Sequence, residues 1–508
     1  MAQPSRMNTG LKSHATRLLA LAWVGALSAC AVGPNFHRPA APAATDYGKA
    51  PVTGDTLAVD TDSANLQAGG AQHFLSSMDI PGQWWTLFQS DELNQLVLIA
   101  LKANPNVDAA KAALRQAHEL YAAQRAAFFP TVDGNFSATR QQFPSATLST
   151  PLAGTTTATT YNLYTAQLSL SYLPDVFGGT RRAVEAAKAQ EESNRFQLEA
   201  VYLTLSSNVI VTAVQEASLR AQISATERLV QLEHQQTDVV QHQRTLGTAS
   251  ELDLLSQQSI EAQTVETLPP LRKQLAQTRD QLTALLGRLP SDEPQQQFTL
   301  DRLTLPADIP VSVPSKLIEQ RPDVRQAQAA MHVASAQVGV ALANMLPQFE
   351  IDAGAGSSAL ALHELFGPYT GFWNLGGSLT QTLFDAGTLL HRKRAADAAL
   401  DQAAAQYRAA VILACQNVAD TLHALQNDAE SLLAAAQGER AAKRSFDLAR
   451  AQFQLGAISN VAVLNAEQVY LQAELTLLQA QASRYSDTAA LFQALGGGWW
   501  NRPEDLKQ

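Results

Sequence analysis

The 508-residue chain carries 36 Lys and Arg against 46 Asp and Glu, a formal net charge of −10 at pH 7. An acidic chain with scattered basic residues argues against a nucleic-acid-binding groove. Two cysteines, Cys30 and Cys415, exclude a disulfide scaffold and a four-cysteine metal site. Charged residues at 16% and aromatic residues at 6%, together with abundant alanine, favour long, closely packed helices.

The first 29 residues are predicted to be a lipoprotein signal peptide. The stretch has no acidic residue and carries the basic residues Arg6, Lys12 and Arg17. The apolar run 18–29 that follows is too short to span a membrane and ends in Leu-Ser-Ala before Cys30. We interpret this as a lipobox with Cys30 as the acylated residue; an ordinary secretory signal with an incidental cysteine is the alternative. Ala31, rather than an Asp, favours sorting to the outer membrane.

The remainder reads as two copies of one pattern. Asn104-Pro105 and Arg321-Pro322 lie 217 positions apart, whereas Leu246-Gly247 and Leu455-Gly456 lie 209 apart, so one copy carries a longer loop. Such spacing indicates duplication of a whole domain. The predicted segments are a lipid-anchored extended segment 30–80, a first repeat 81–286, a Pro-rich connector 287–316, a second repeat 317–497 and a tail 498–508.

Each copy is predicted to contain a strand pair followed by a long helical hairpin. Alternating polar and apolar residues indicate strands at about 131–139, 161–173, 348–356 and 372–383. From Arg181 to Leu246 the chain has neither Gly nor Pro, and such a helix is ~100 Å long. Apolar steps of four and three, as in Leu425, Ala429 and Leu432, predict left-handed coiled-coil packing.

Together these features indicate a membrane barrel made by several chains. Strands of about 10 residues with one polar face fit a barrel wall, but they also fit a soluble sheet, which alternation alone would favour. Four strands cannot close a barrel, and open edges are not tolerated in lipid, so several chains must pool their strands. Three chains would supply 12.

Several motifs resemble the TolC-like outer-membrane factor family, specifically its NodT-type branch of lipoproteins serving RND-type efflux systems. They are the segment from Cys30 to Pro39, the segment Trp84 to Leu93, the turn Asp175 to Arg182, and the stretches Leu455-Gly456 and 463–467. The resemblance covers essentially the whole mature chain. It implies a homotrimer with a 12-stranded barrel and an α-helical barrel of long coiled-coil hairpins, in the outer membrane of a Gram-negative bacterium and extending into the periplasm.

The resemblance also implies site residues. Gly247 and Gly456 would form hairpin tips that contact a periplasmic adaptor; a purely structural turn is the competing interpretation. A closed gate would lie around Asp253, Val461 and Asn465. Relatives commonly place an Asp ring at the position of Asn465, so here Asp253 would supply the charge instead, unless it only pairs with a neighbour such as Arg244.

No catalytic motif occurs in the sequence, so we predict no enzymatic activity, no cofactor and no metal site. The predicted function is a passive duct for small molecules such as drugs or toxic compounds, fed by an adaptor and an inner-membrane RND-type pump. Alternatives are an exit duct for type I protein secretion or metal-ion efflux, or a coiled-coil periplasmic adaptor without a pore.

Overall fold

A computed structural model describes residues 31–44, 46–48, 54–59, 66–76, 78–143 and 159–502. The predicted signal peptide, Cys30 and the end of the tail lie outside these residues. The described chain divides into two compact units. Unit 1 comprises the described residues up to Arg38 with Arg115–Glu192 and Gln328–Ala405, and unit 2 comprises the described parts of Pro39–Leu114, Ser193–Ala327 and Gln406–Gln508.

The helices repeat in length as well as in order. In chain order they are α1 Asp91–Ala103, α2 Pro105–Ala126, α3 Gly179–Thr245, α4 Glu251–Leu285, α5 Pro314–Gln320, α6 Pro322–Ala343, α7 Thr388–Gln454 and α8 Asn460–Ala494. Helices α2 and α6 have 22 residues each, α3 and α7 have 67, and α4 and α8 have 35. Equal lengths give each residue of these three helices a counterpart in the other copy. Within the described residues, no helix is both long and apolar enough to cross a bilayer.

The strands are β1 His73–Leu75, β2 Thr131–Phe143, β3 Thr159–Tyr172, β4 Asp308–Pro310, β5 Gln348–Ala359 and β6 Gly371–Thr380. In unit 1, four of them form an antiparallel sheet in the order β2-β3-β5-β6. The prediction of four such strands per chain is therefore confirmed. The short strands β1 and β4 pair in parallel in unit 2, where the sequence had predicted an extended segment and an irregular connector.

The core of unit 2 follows the predicted coiled-coil pattern. On α7, Leu425, Ala429 and Leu432 are fully buried at the predicted steps. At the end of α8 the seam becomes aromatic, with Phe492 stacked on Trp84 at 5.2 Å between ring centroids. One feature was missed: α4 continues through Pro269 and Pro270. Proline removes an intrahelical hydrogen bond, so this helix depends on packing, as at the buried Leu268.

Candidate functional site: the sheet, the hairpin turns and the N-terminal segment

The four-stranded sheet of unit 1 has one apolar and one polar face. Register places Leu168 beside Ala355 and Ala355 beside Trp373, while on the other face Ser169 lies beside Gly354 and Gly354 beside Asn374. Exposed members of the apolar face are Val132, Phe136, Leu168, Trp373, Leu375 and Leu379. Polar-face residues include Asp133, Asn135, Ser169, Glu350, Asp352 and Asn374. Such a division suits a wall between lipid and water.

The first hairpin reverses at Gly247, between α3 and α4. Gly247 has φ +75°, which L-residues with a side chain rarely adopt. Its N–H donates to the Arg244 carbonyl at 3.0 Å, and the Thr248 N–H donates to the Gln243 carbonyl at 2.9 Å, so the turn satisfies the last carbonyls of α3. A Cβ added at Gly247 would meet no atom within 4 Å. Backbone conformation, not crowding, therefore requires glycine in this turn.

The second hairpin repeats this turn at Gly456, between α7 and α8. Gly456 has φ +71°, and its N–H donates to the Phe453 carbonyl at 2.9 Å. Each glycine follows an exposed leucine, Leu246 at 68% and Leu455 at 84% exposure. Exposed apolar side chains at both turns are consistent with a contact surface, and the docking role of the glycines stays a prediction.

Asp253 has a defined structural partner at the start of α4. Its carboxylate accepts hydrogen bonds from the Ser250 N–H at 2.9 Å and the Ser250 hydroxyl at 2.7 Å. The Asp253 N–H donates in return to Ser250 Oγ at 3.1 Å, which completes a capping box. The bonds from Ser250 to the carboxylate hold the pKa of Asp253 below its usual range. Arg244 instead pairs with Glu251 at 2.7 Å, so the alternative ion pair with Asp253 does not form. The capped carboxylate remains only partly buried.

Val461 and Asn465 lie on an exposed face of α8. Val461 is 49% exposed and Asn465 is also exposed, whereas Val463 and Leu464 between them are buried. Their spacing of four residues places both on one side of the helix. A ring at this position would need further copies of the chain, so the predicted gate at Asp253, Val461 and Asn465 stays a prediction.

A buried carboxyl pair near these turns was not anticipated. Glu233 on α3 is fully buried and Glu467 on α8 is 1% exposed. Thr264 donates to Glu233 at 2.9 Å, but neither carboxylate oxygen of Glu467 has a hydrogen-bond partner among the described residues. Burial, reinforced by Glu233, raises the pKa of Glu467 to about 8, and burial raises the pKa of Glu233 to about 7. The residue type itself gave no sign of this burial, because glutamate is seldom fully buried.

Cys30 lies outside the described residues, but the chain directly after it is firmly held in unit 1. Val32 donates its N–H to the Phe177 carbonyl at 3.0 Å. Gly178, at φ +80°, lies so close to Ala31 that a Cβ there would be 2.5 Å from the Ala31 Cα. The predicted turn from Asp175 to Arg182 therefore receives the N-terminal segment.

A duplicated pattern of paired strands and long helical hairpins defines the class of TolC-like outer-membrane channels. CmeC, an outer membrane channel of Campylobacter jejuni, has this fold, with a TM-score of 0.81, 22% identity, and coverage of 92% of this chain and 95% of CmeC. The sequence model of the outer membrane efflux protein family matches residues 96–288 and 313–497. The chain belongs to this family.

Curated relatives agree. OpmQ, a pyoverdine export outer membrane protein of Pseudomonas putida, is 30% identical over 422 residues, covering 83% of this chain and 89% of OpmQ. TtgC, a probable efflux pump outer membrane protein of the same species, is 26% identical over 486 residues, covering 95% of each. The chain is therefore an outer-membrane efflux protein of a Gram-negative bacterium, in a family of channels rather than enzymes, and the adaptor without a pore is excluded.

Proposed function

We propose that the protein is the outer-membrane duct of a tripartite RND-type efflux system and that three copies form it. The sheet carries this proposal: it has one apolar and one polar face, and its outer strands β2 and β6 each pair on one side only within the described chain. Because open edges are not tolerated in lipid, other copies must pair with them. Three four-stranded sheets would give 12 strands, enough for a water-filled lumen.

Partners and cargo follow from the relatives. The name of TtgC places it in an efflux pump, and that of OpmQ describes export of pyoverdine. We infer that this chain likewise receives small molecules from an inner-membrane pump through a periplasmic adaptor, which contacts the turns at Gly247 and Gly456. The 67-residue helices α3 and α7, each ~100 Å long, suit such a duct.

One test of the duct records single-channel conductance in planar bilayers from the protein purified in detergent from outer membranes. A second deletes the gene and measures susceptibility to toxic small molecules. We expect discrete conductance steps, a heat-resistant trimer on gels, and increased susceptibility that the intact gene restores. A protein that is monomeric and non-conducting, and whose deletion leaves susceptibility unchanged, would refute the proposal.

We also propose that Cys30 becomes the acylated first residue of the mature chain. The lipobox and Ala31 support this proposal. Several acyl chains anchor firmly, whereas one binds only marginally. Intact-mass measurement of the membrane form should show removal of residues 1–29 and the added mass of acyl chains on Cys30. A mature chain that begins elsewhere would contradict the assignment.

A further inference from the structure

Arg182, near the start of α3, binds the chain that follows Cys30 through three acceptors. Its guanidinium donates to the carbonyls of Val32 at 3.1 Å and Gly33 at 3.2 Å, and to Asn35 Oδ1 at 2.8 Å. Arg182 is only 4% exposed. A buried, planar guanidinium with several donors suits recognition of a particular backbone path, which a lysine ammonium cannot reproduce.

Arg182 is held in place by two further side chains, and the second of them also contacts the N-terminal segment. Its guanidinium pairs with Glu185 at 2.7 Å, and the other Glu185 oxygen bonds His332 Nε2 at 2.8 Å. The His332 ring stacks on Phe36, with centroids 4.3 Å apart and planes 13° apart. Both the polar and the aromatic parts of this cluster therefore contact residues 32–36.

A glycine of α6, Gly339, leaves room for the N-terminal segment to pack against this helix. A Cβ at Gly33 would lie 2.5 Å from the Gly339 Cα, and one at Gly339 would lie 2.7 Å from the Arg182 Cγ. Two backbones and the arginine stem thus meet where only glycine fits. We call Arg182, Glu185, His332 and Gly339 the N-terminal clamp.

Comparison of the two copies shows that the clamp departs from the repeat. Arg182 is the fourth residue of α3, and the fourth residue of α7 is His391; Glu185 corresponds in the same way to Arg394. On the shorter helices, His332 and Gly339 of α6 correspond to Arg115 and Ala122 of α2. All four clamp positions differ between copies that otherwise match in helix length. A chain has one N-terminal segment, so only one copy needs a site for it.

We propose that the N-terminal clamp is a binding site dedicated to the first residues of the mature chain, and that it fixes where the lipid anchor attaches. The ligand is the extended segment 31–36, recognised through its carbonyls, Asn35 and Phe36. Docking places Ala31, the residue that follows Cys30 in the chain, beside the turn at Gly178. This second part rests on the proposed acylation of Cys30.

Hydrogen exchange of the full-length protein, purified from outer membranes as wild type and variants, tests the clamp. The readout is the exchange rate of the Val32 amide, which donates to Phe177. We expect Arg182→Gln to increase this rate at least tenfold. The Arg182→Lys variant, which keeps the charge but not the planar guanidinium, should also exchange faster than the wild type. The matched control is Arg392→Gln, an exposed arginine in the first turns of α7, which should leave the rate unchanged.

Two further variants separate docking from a general loss of folding. Asn35→Ala alters only the ligand and should also accelerate exchange, with no added effect in combination with Arg182→Gln. Gly339→Ala introduces the residue of the first copy and should displace Arg182, whereas Gly438→Ala on α7 meets open space and should be silent. Unchanged Val32 exchange in Arg182→Gln, or full protection in Arg182→Lys, would overturn the proposal.

The intact mass of each variant distinguishes this proposal from the acylation on which it partly rests. Accelerated exchange with acyl chains present supports both proposals. Accelerated exchange in a protein without acyl chains leaves the clamp as a site for the N-terminal segment but refutes its role in placing a lipid. Unchanged exchange in an acylated protein refutes the clamp alone.

Discussion

The backbone conformation of the two hairpin turns requires glycine. Replacing either glycine with a bulky residue would strain the turn, so a loss of efflux could not be assigned to lost contact with the adaptor. A bulky residue at φ +75° or +71° costs about 1–2 kcal/mol, whereas Asn tolerates this region. We therefore expect Gly247→Asn and Gly456→Asn to preserve the turns and the trimer. The neighbouring leucines offer a cleaner probe of the surface, because they are exposed and contribute little to folding.

Docking at the turns predicts that Leu246→Glu combined with Leu455→Glu lowers efflux at least tenfold while trimers still reach the membrane. Each change places a charge where we expect an apolar contact with the adaptor. Susceptibility assays measure efflux, and gels of unheated outer membranes measure trimers. Leu120→Glu, a change at a residue 61% exposed on α2, is the control. Normal efflux in the double variant would reduce both turns to a structural role.

The gate prediction must separate the charge of Asp253 from its capping role. Three symmetry-related carboxylates near one axis would attract cations, so Asp253→Asn should weaken block by multivalent cations. Asn465→Ala shortens a side chain at the predicted constriction and should raise closed-state conductance. Ser250→Ala removes the hydroxyl of the same capping box but keeps the carboxylate. If Ser250→Ala weakens block as much as Asp253→Asn, helix capping explains the effect. If none of these variants changes conductance or block, the constriction lies elsewhere.

At the level of packed helices, Glu467 makes the stability of unit 2 dependent on pH. Charged groups around the pair are Glu261, which raises the pKa of Glu233, and Arg450, which lowers that of Glu467. The pKa of Glu467 rises from its ordinary 4.5 to about 8 on folding. A carboxyl group that binds its proton more tightly in the folded protein than in the unfolded chain stabilises the folded protein at low pH. This contribution is lost as pH rises towards and through about 8.

We expect Glu467→Gln to lose less stability between pH 6 and pH 9 than the wild type, which loses on the order of a few kcal/mol. Glu233, with a pKa of about 7, still titrates in the variant and leaves a residual pH dependence. Glutamine keeps the shape and removes the ionisation. Glu474→Gln on the same helix removes a carboxylate that pairs with Arg228 at 2.7 Å and should keep the pH dependence of the wild type. Equal pH dependence in Glu467→Gln and the wild type would show that Glu467 does not titrate in this range.

The features that the sequence predicted correctly are those marked by apolar periodicity or by glycine. Heptads identified the buried face of α7, and the repeated Leu-Gly pairs coincide with the two turns at positive φ. Burial of Glu467 was not predictable, because glutamate is seldom fully buried and the carboxyl group beside it comes from α3, far away in the sequence. The helix through Pro269 and Pro270 was missed because proline locally disfavours what tertiary packing maintains.

At the level of the whole molecule, duplication supplies two strand pairs and two long hairpins, but the chain has one N-terminal segment. Symmetry is therefore broken where that segment binds, at the clamp in unit 1 and again in unit 2. There, the fully buried Arg484 donates to the Ala68 carbonyl at 2.8 Å and the Gly70 carbonyl at 2.7 Å. Its counterpart on α4 is Leu275. Neither arginine is explained by coiled-coil packing alone, since both satisfy backbone carbonyls of the stretch that precedes the first repeat, residues 30–80.

The two faces of the sheet yield the sharpest test of the assembled channel, because neighbouring residues of β6 should respond oppositely to one charge. Leu375 on the apolar face is 70% exposed, and Asn374 on the polar face is also exposed. A lysine facing lipid costs ~2–4 kcal/mol near the midplane, and a trimer incurs that cost three times. Leu375→Lys should abolish trimers in outer membranes. Asn374→Lys should assemble normally, conduct, and shift selectivity towards anions, because its charge faces water. Equal loss of trimers in both variants would mean that the sheet is not a barrel wall between lipid and lumen.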